Sequence, residues 1–292
     1  MAEPPPEPSP AAPAPAPTPT RNIFAIPSPL RRLFNRFPLR TTPSNPLPAR
    51  CAVADPDGTP VLFVFTDEVG AKKGSPSFNP ACLKWQTYLL MTGISFRTHP
   101  STNHASPSGS LPFLLTAGGA ALPPSKLESH ASQSGKPLLS PSQTHLALLD
   151  SALRPAYLHA LYLSPLNTPL LTSLYVPEHA YPVRASLLAS LQSAAEEEVL
   201  TTTRSPFVNE AALYSDAEEA LSALEDLLDG REWFFGEPTL LDASVFAYTN
   251  FLLEERFVWG DERLRRLVRG FPNLVAHRER ILGKYWPEEA KR

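Results

Sequence analysis

The pattern of apolar residues changes near residue 140, and this change limits the possible folds more than any other feature of the sequence. Before it, short apolar runs of strand length are separated by turns rich in Gly and Pro. After it, apolar residues recur at helical spacing almost to residue 285. The chain should therefore combine a small α+β half with an all-helical half.

Two short strands joined by a helix are predicted first. Residues 61–65 form a β-branched and aromatic run between turn residues, which is typical of a buried strand. Pro80 and Gly93 then mark the start and the end of a helix. Residues 94–98 alternate apolar and polar side chains and predict the second strand. Because the connection is helical, the two strands should be parallel.

A hairpin and a further helix follow. Gly118-Gly119 separates apolar runs at residues 111–115 and 120–122, which predicts a β-hairpin. The next helix is expected over residues 125–134. The order βαβ then ββα is that of a thioredoxin-like domain, in which Pro112 takes the place of the cis-proline. The alternative is that Pro112 only marks the start of an edge strand.

Capping patterns divide the second half into helices. Ser140 with Gln143, Asp216 with Glu219, and Thr239 with Asp242 each match a capping box, in which two side chains satisfy the free amides of a helix start. Gly230 then ends the helix that Asp216 begins. The predicted helices span residues 140–161, 181–203, 216–230, 239–255, 263–269 and 273–284.

The first fifty residues differ in composition from the rest. They contain 15 of the 35 prolines and carry a formal charge of +4, so the remainder carries −7. Pro/Ala repeats up to Thr20 cannot bury a core and predict a disordered tail. We therefore expect a Pro-rich basic tail and linker over residues 1–55, a thioredoxin-like domain over 56–136 and an all-helical domain over 137–292.

Charge and cysteine content argue against several classes of protein. The overall formal charge of −3 is too balanced for a surface that follows nucleic acid, so no nucleic-acid partner is expected. Two cysteines and no secretory leader indicate a reducing compartment. Arg-rich residues 21–50 could pass for a matrix presequence, but three prolines would break its helix. Residues 155–176 are uncharged but interrupted at 165–169, which favours two short buried helices over a membrane span.

The predicted two-part architecture is that of glutathione transferases, and local motifs resemble one family built on that fold. The tail segment at residues 26–39 (IPSPLRRLFNRFPL) resembles the opening of the smaller metaxin-like lid subunit of the fungal mitochondrial sorting and assembly machinery. Four further motifs resemble metaxin-like proteins, in that family's order, and cover most of residues 60–287. They are Cys82-Leu-Lys-Trp85 with Tyr88-Leu89, residues 103–113 (NHASPSGSLPF), residues 233–243 (WFFGEPTLLDA), and residues 271–275 (FPNLV) with Arg280-Ile281 and Tyr285-Trp286-Pro287.

This resemblance implies a non-enzymatic protein of the mitochondrial outer membrane, peripheral to its cytosolic face and without a cofactor. The implied partners are the barrel-forming insertase subunit, a second and larger metaxin-like subunit, and β-barrel precursors recognised through their β-signal. The larger subunit is usually longer than this chain, which favours the lid subunit. The lid would work by binding and release.

Three residues are candidates for what remains of a glutathione site. Cys82 lies two residues after Pro80, where a helix start and Lys84 could lower the pKa of its thiol. A lone Cys in an apolar helix is more often a small core residue, and we favour that interpretation. Glu128 and Ser129 follow the hairpin, where glutathione transferases hold the glutamyl end of glutathione, although a Ser there can simply cap a helix. No Cys or His spacing predicts a metal site.

The tail supplies the best candidate binding segment. Arginines alternate with apolar side chains, so the segment could order against a partner or an anionic leaflet. The alternative is a linker whose aromatic side chains pack on the chain's own body. The residues concerned are Arg31, Arg32, Phe34, Arg36 and Phe37.

Two other functions remain open at this point. A glutathione-dependent transferase or peroxidase would require a reactive Cys82 and would be retained on glutathione resin. A peripheral adaptor would use the Pro-rich leader to dock in aromatic grooves. Deleting residues 1–20 should abolish binding by such an adaptor, whereas a lid should depend more on Arg31 to Phe37.

Overall fold

The computed structural model describes residues 58–139, 143–177 and 179–291, together with Pro29 and Arg32. The chain divides into two units, Met1–Ser44 and Asn45–Arg292. In the first unit, Pro29 and Arg32 are helical, and both are exposed. The predictions for the rest of the tail and for the helix start at residues 140–142 lie outside the described residues.

A four-stranded sheet forms the first half of the second unit. Its strands are β1 (Val61–Val64), β2 (Arg97–Pro100), β3 (Phe113–Leu115) and β4 (Ala121–Leu122), in the order β2-β1-β3-β4. β1 pairs with β2 in parallel and β3 pairs with β4 in an antiparallel hairpin, as predicted, and β1 and β3 are also antiparallel. β2 begins at Arg97 and not at Ile94, because the Ile94 amide still donates to the Leu89 carbonyl at the end of the preceding helix.

Three helices belong to the same half: α1 (Glu68–Lys73), α2 (Pro80–Met91) and α3 (Pro124–Ser134). The predicted start of α2 is correct, since Pro80 is its first residue and the Asn79 side chain accepts from the Cys82 amide at 3.2 Å. α1 was not predicted. It lies in the segment between β1 and α2 and is capped by Asp67 before it and by Gly74 after it, whose φ of 66° is in the left-handed region that favours glycine.

The remainder of the described chain is helical, as expected. A long helix, α4 (residues 143–163), includes two π-helical stretches, Leu149–Leu153 and His159–Leu163, and a short 3₁₀ turn, Pro165–Asn167, follows it. The boundary proposed at residues 136 and 137 lies between α3 and α4. The later helices are α5 (Thr168–Tyr175), α6 (Val183–Thr203), α7 (Glu210–Leu228), α8 (Leu240–Leu253), α9 (Arg263–Arg269), α10 (Pro272–Tyr285) and α11 (Pro287–Ala290).

The capping box predicted at Asp216 and Glu219 is wrong. Both residues are exposed inside α7, which begins two turns earlier with Asn209 as its cap. An N-cap residue must leave helical backbone geometry, and Asp216 cannot do so because the apolar face of α7 already starts at Leu213. The inward positions predicted further along the helix are all buried, namely Leu221, Leu224 and Leu228.

α8 belongs to both hydrophobic cores of the unit. Every one of its 14 residues is buried. Phe246 and Ala247 pack with the side chains of the sheet and α2, while Val245 and Phe251 pack with the helical half. Because α8 is buried on every side and contacts both cores, it joins the two halves.

The carboxyl-terminal residues return to the sheet half and hold the segment around α1. The Trp286 indole stacks on Phe246 at 5.5 Å and donates to the Gly74 carbonyl at 2.9 Å. The Ser75 hydroxyl donates to the Glu289 carboxylate at 2.7 Å. We call residues 66–79 the insert. Gly74 and Ser75 attach it to the carboxyl-terminal end of the chain, at Trp286 and at Glu289 of α11.

Across the described residues, no helix combines the length and the apolar composition that a membrane crossing requires.

Candidate functional site

A large cleft opens where β1 and β2 end. Parallel strands commonly bind ligands at their carboxyl ends, because side chains and loops converge there. The cleft has a volume of about 810 Å³, and we call it the strand-end cleft. The sheet half contributes Phe65, Thr66, Asp67, Glu68, Phe78, Pro100, Ser101 and Thr102, and the helical half contributes Pro169, Leu170, Ser173, Leu174, Tyr175, Pro177, Arg256, Phe257 and Val258.

Aromatic side chains line this cleft where the two halves meet. Tyr175 makes edge contacts with Phe65 and Phe78, at 5.3 and 5.4 Å between ring centroids. The amide nitrogen of Asn79 donates to the Tyr175 hydroxyl at 2.9 Å, while the amide oxygen of the same side chain caps α2. Burial raises the pKa of Tyr175 well above its ordinary value, so the hydroxyl stays protonated and anchors the start of α2.

The thiol of Cys82 is enclosed beside the cleft. It is fully buried and forms no disulfide. Burial raises its pKa to about 12, although hydrogen bonds from the Phe65 backbone and the Ser77 side chain act in the opposite direction. The thiolate is the nucleophilic form, and at neutral pH this thiol is almost entirely protonated. Its position suits a small core residue.

The insert encloses this thiol. Ser77 donates from its hydroxyl to the Phe65 carbonyl at 2.6 Å and from its amide to the Gln86 side chain at 2.9 Å. Gln86 in turn donates to the Ser75 carbonyl at 2.9 Å. These buried bonds hold residues 75–77 across the amino end of α2. An incoming thiol substrate would have to displace them to reach Cys82.

Pro112 follows a cis peptide bond and is buried at the entry to β3, as the thioredoxin-like prediction requires. The Leu111 amide before it donates to the Asn103 side chain at 3.0 Å. Phe113 after it stacks on Phe63 of β1 at 4.3 Å between ring centroids. The proline therefore lies at the same end of the sheet as the strand-end cleft, since Phe113 pairs with Phe63 near the end of β1.

Glu128 and Ser129 do not lie at a helix start. α3 begins at Pro124, so both belong to its second turn, and Ser129 is exposed with its hydroxyl donating to the Lys126 carbonyl at 3.0 Å. The prediction that Ser129 could cap the helix is wrong, because the proline at the first helical position starts α3 earlier. Glu128 lies near Tyr88 of α2. Burial raises the pKa of Tyr88 to about 12, and the negative charge of Glu128 contributes to this rise.

Both edges of the sheet offer little to an added strand. The amides of Arg97 and Ser101 donate inward to β1, at 2.9 and 3.0 Å. Within β2 this leaves only Thr98 to present an amide outward, since Pro100 has none. At the other edge, Ala121 alone of the two β4 residues points its amide outward, and Pro123 and Pro124 follow it. The edges are thus protected against strand addition.

The other residues predicted to have functional roles do not come together in one site among the described residues. Arg31, Phe34, Arg36 and Phe37 lie outside the described residues, and Arg32 is exposed. No group of three His, Cys, Asp or Glu side chains suited to a metal occurs in the described part of the chain. The capping box of Thr239 and Asp242 is present, but it is fully buried and supports the fold.

Sequence reasoning missed the insert helix and the cleft beside it. The signal for α1 was available, because Asp67 and Gly74 are standard helix-boundary residues with Lys72 and Lys73 in the last turn between them. No local signal marked the cleft, whose walls come from segments far apart in sequence, among them residues 65–68, 100–102, 169–177 and 256–258.

Family comparisons agree with this architecture. The family described as glutathione S-transferase N-terminal domain matches residues 80–167, and the one described as glutathione S-transferase, C-terminal domain matches residues 217–281. A thioredoxin-like sheet half followed by an all-helical half thus defines a protein of the glutathione S-transferase fold class. The predicted fold class is confirmed.

Comparison with individual proteins shows which members of this fold class the chain is similar to. Metaxin-1 of Mus musculus is 28% identical over 246 residues, which cover 74% of this chain and 73% of that protein. Metaxin-3 of Xenopus laevis is 28% identical over 237 residues, covering 74% and 75%. This chain is thus similar to metaxins over 74% of its length. Among solved structures, glutaredoxin 2 of Salmonella typhimurium in complex with glutathione has a TM-score of 0.48 and 14% identity, covering 80% of this chain and 95% of that one.

Proposed function

We propose that this chain is a non-enzymatic, peripheral subunit of the mitochondrial outer-membrane sorting and assembly machinery. It would lie as a cytosolic lid on the barrel-forming subunit, beside a larger metaxin-like subunit, and help receive β-barrel precursors. The observation that carries the proposal is the similarity to metaxins along 74% of the chain. That similarity supports a protein related to import at the mitochondrial outer membrane, and the lid position is the finer part of the proposal.

The environment of Cys82 supports a binding role over catalysis. A glutathione-dependent enzyme using this thiol would need it exposed and partly ionised, whereas here it is buried with a pKa of about 12. The insert that covers it is held by buried hydrogen bonds of Ser77 and Gln86. The proposed work therefore requires no covalent step and no cofactor.

The strand-end cleft is the surface we assign to the β-signal. An incoming strand needs either a free sheet edge or a groove with apolar walls. Prolines limit both sheet edges of the thioredoxin-like half, so the groove is the better candidate. Leu170, Leu174 and Phe257 supply apolar walls, and Val258 stands at the rim with 82% of its surface exposed.

Membership of the complex is tested by co-purification from mitochondria. Tagged full-length chain, isolated in mild detergent, should bring down a barrel-forming protein in stoichiometric amount. Deleting residues 21–50 should reduce this recovery severalfold, because the arginines and aromatic side chains of that segment are lost. Deleting residues 2–20 is the matched control and should leave recovery unchanged.

Two results would contradict the lid proposal. Recovery of the chain alone, together with retention on glutathione resin, would favour the enzyme. Loss of the barrel protein after deletion of residues 2–20, with no further loss on deleting 21–50, would favour the Pro-rich adaptor.

The cleft assignment is tested by placing a carboxylate on its rim. Val258→Glu should weaken photo-crosslinking of the full chain to a β-signal peptide by about tenfold, since an apolar strand would have to bury the new charge. Phe207→Glu is the matched control, because Phe207 is also exposed, at 63%, and does not line the cleft. Equal crosslinking of both variants and the wild type would exclude the cleft as the β-signal site.

A further inference from the structure

A second groove lies between the insert helix α1 and strand β2. It has a volume of about 660 Å³, and we call it the insert groove. Val61 and Phe96 contribute apolar side chains to its lining, and Ala71 of α1 lines it opposite β2. The Thr98 hydroxyl donates to the Ala71 carbonyl at 3.1 Å, which ties the two walls together. The volume is within the range of small-molecule sites.

Three exposed cations converge on this groove from two separate elements. Lys72 and Lys73 come from α1, and Arg97 comes from the start of β2. Glu68 is the one acidic residue in the lining, so the groove carries a formal charge of +2 with His99 neutral. The groove is thus basic on a part of the chain, residues 51–292, whose formal charge is −7.

Helix capping does not account for the whole cluster. Lys72 and Lys73 lie in the last turn of α1, where cations stabilise the carbonyl end of a helix. Arg97 lies on β2, so stabilisation of the carbonyl end of α1 does not explain its position. Neither lysine forms an ion pair with another described residue.

We infer that the insert groove binds a phosphate-bearing ligand. A phosphomonoester carries about −1.5 to −2 charges at neutral pH, which matches the net charge of the groove. Lysines bind phosphate as point charges, and an arginine adds a planar pair of donors. Phe96, which is partly exposed, gives an apolar surface for the rest of the ligand. The insert groove shares only Glu68 and Pro100 with the lining of the strand-end cleft, and the inference does not depend on the lid proposal.

The chemistry could be presented by a free phosphate ester or by a lipid headgroup, and two probes distinguish these sources. Glycerol 3-phosphate is titrated calorimetrically into the full-length chain at physiological ionic strength. Co-sedimentation is measured with phosphatidylcholine vesicles that contain or lack phosphatidic acid, whose headgroup is the same phosphomonoester. Binding to both probes indicates a site that takes the free ester, and binding to vesicles alone indicates a lipid headgroup.

The groove variant carries Lys72→Gln, Lys73→Gln and Arg97→Gln. Its association constant should fall by roughly a hundredfold, because each basic residue near a phosphate contributes about a fivefold factor. The control variant carries Lys126→Gln, Arg184→Gln and Arg266→Gln, which removes the same charge from exposed positions elsewhere and should bind like the wild type. No binding of either probe to the wild type would overturn the inference. Binding that survives in the groove variant would also overturn it and would point to the basic tail.

Discussion

Replacing Asp242 with alanine should lower the free energy of unfolding by about 3–5 kcal/mol, because it leaves several buried donors without an acceptor. The carboxylate is fully buried. It accepts from the Thr239 amide and hydroxyl at 2.9 and 2.6 Å, from the Phe234 amide at 3.2 Å and from His277 Nε2 at 3.0 Å. These bonds join the start of α8 to the preceding loop and to α10.

Urea denaturation of the full chain measures this effect. Asp216→Ala is the matched control, since Asp216 occupies the same sequence pattern but lies exposed within α7. Its substitution should change stability by less than about 0.5 kcal/mol. A loss at Asp242 as small as the loss at Asp216 would show that the buried network contributes little.

Replacing Asn167 with alanine should cost about 2–4 kcal/mol of stability, for a similar reason at a different site. Asn167 is fully buried. Its side-chain oxygen accepts from the Gly260 and Asp261 amides at 2.8 and 2.9 Å, and its nitrogen donates to the Ala160 carbonyl at 2.7 Å. The Gly260 backbone lies so close to Leu166 that an added Cβ would meet the Leu166 carbonyl oxygen at 2.2 Å.

This network holds the loop at residues 256–260, which supplies part of the strand-end cleft. Asn209→Ala is the control, because Asn209 is exposed and caps a single amide of α7, so its loss should cost about 1 kcal/mol or less. Hydrogen exchange of the Gly260 and Asp261 amides should accelerate in Asn167→Ala alone. Unchanged exchange at these amides would mean that other contacts hold the loop.

The insert both covers the Cys82 thiol and forms part of the insert groove. Residues 75–77 cover Cys82, while α1 of the same segment forms one wall of the insert groove. Trp286 and Glu289 attach the insert from the other end of the chain. The same segment thus covers Cys82 and forms one wall of a basic groove beside it.

Local sequence signals were enough to predict most of the elements. Pro80 and Gly93 bounded α2, Gly118-Gly119 predicted the hairpin, and Thr239 with Asp242 predicted the start of α8. Each of these depends on the conformational preference of a few neighbouring residues. The architecture followed because a βαβ unit, a hairpin and a run of amphipathic helices can bury their apolar faces together in few ways.

The sequence by itself therefore determined the fold class and, through motif resemblance, indicated the similarity to metaxins. It misplaced the start of α7 at Asp216, because a capping pattern inside a helix looks the same as one at its start. Only the tertiary structure joined His277 to Asp242, buried Cys82 beneath the insert and brought Arg97 beside Lys72. These features depend on which distant segments meet, and such contacts are set by the packing of the whole chain and not by the preferences of neighbouring residues.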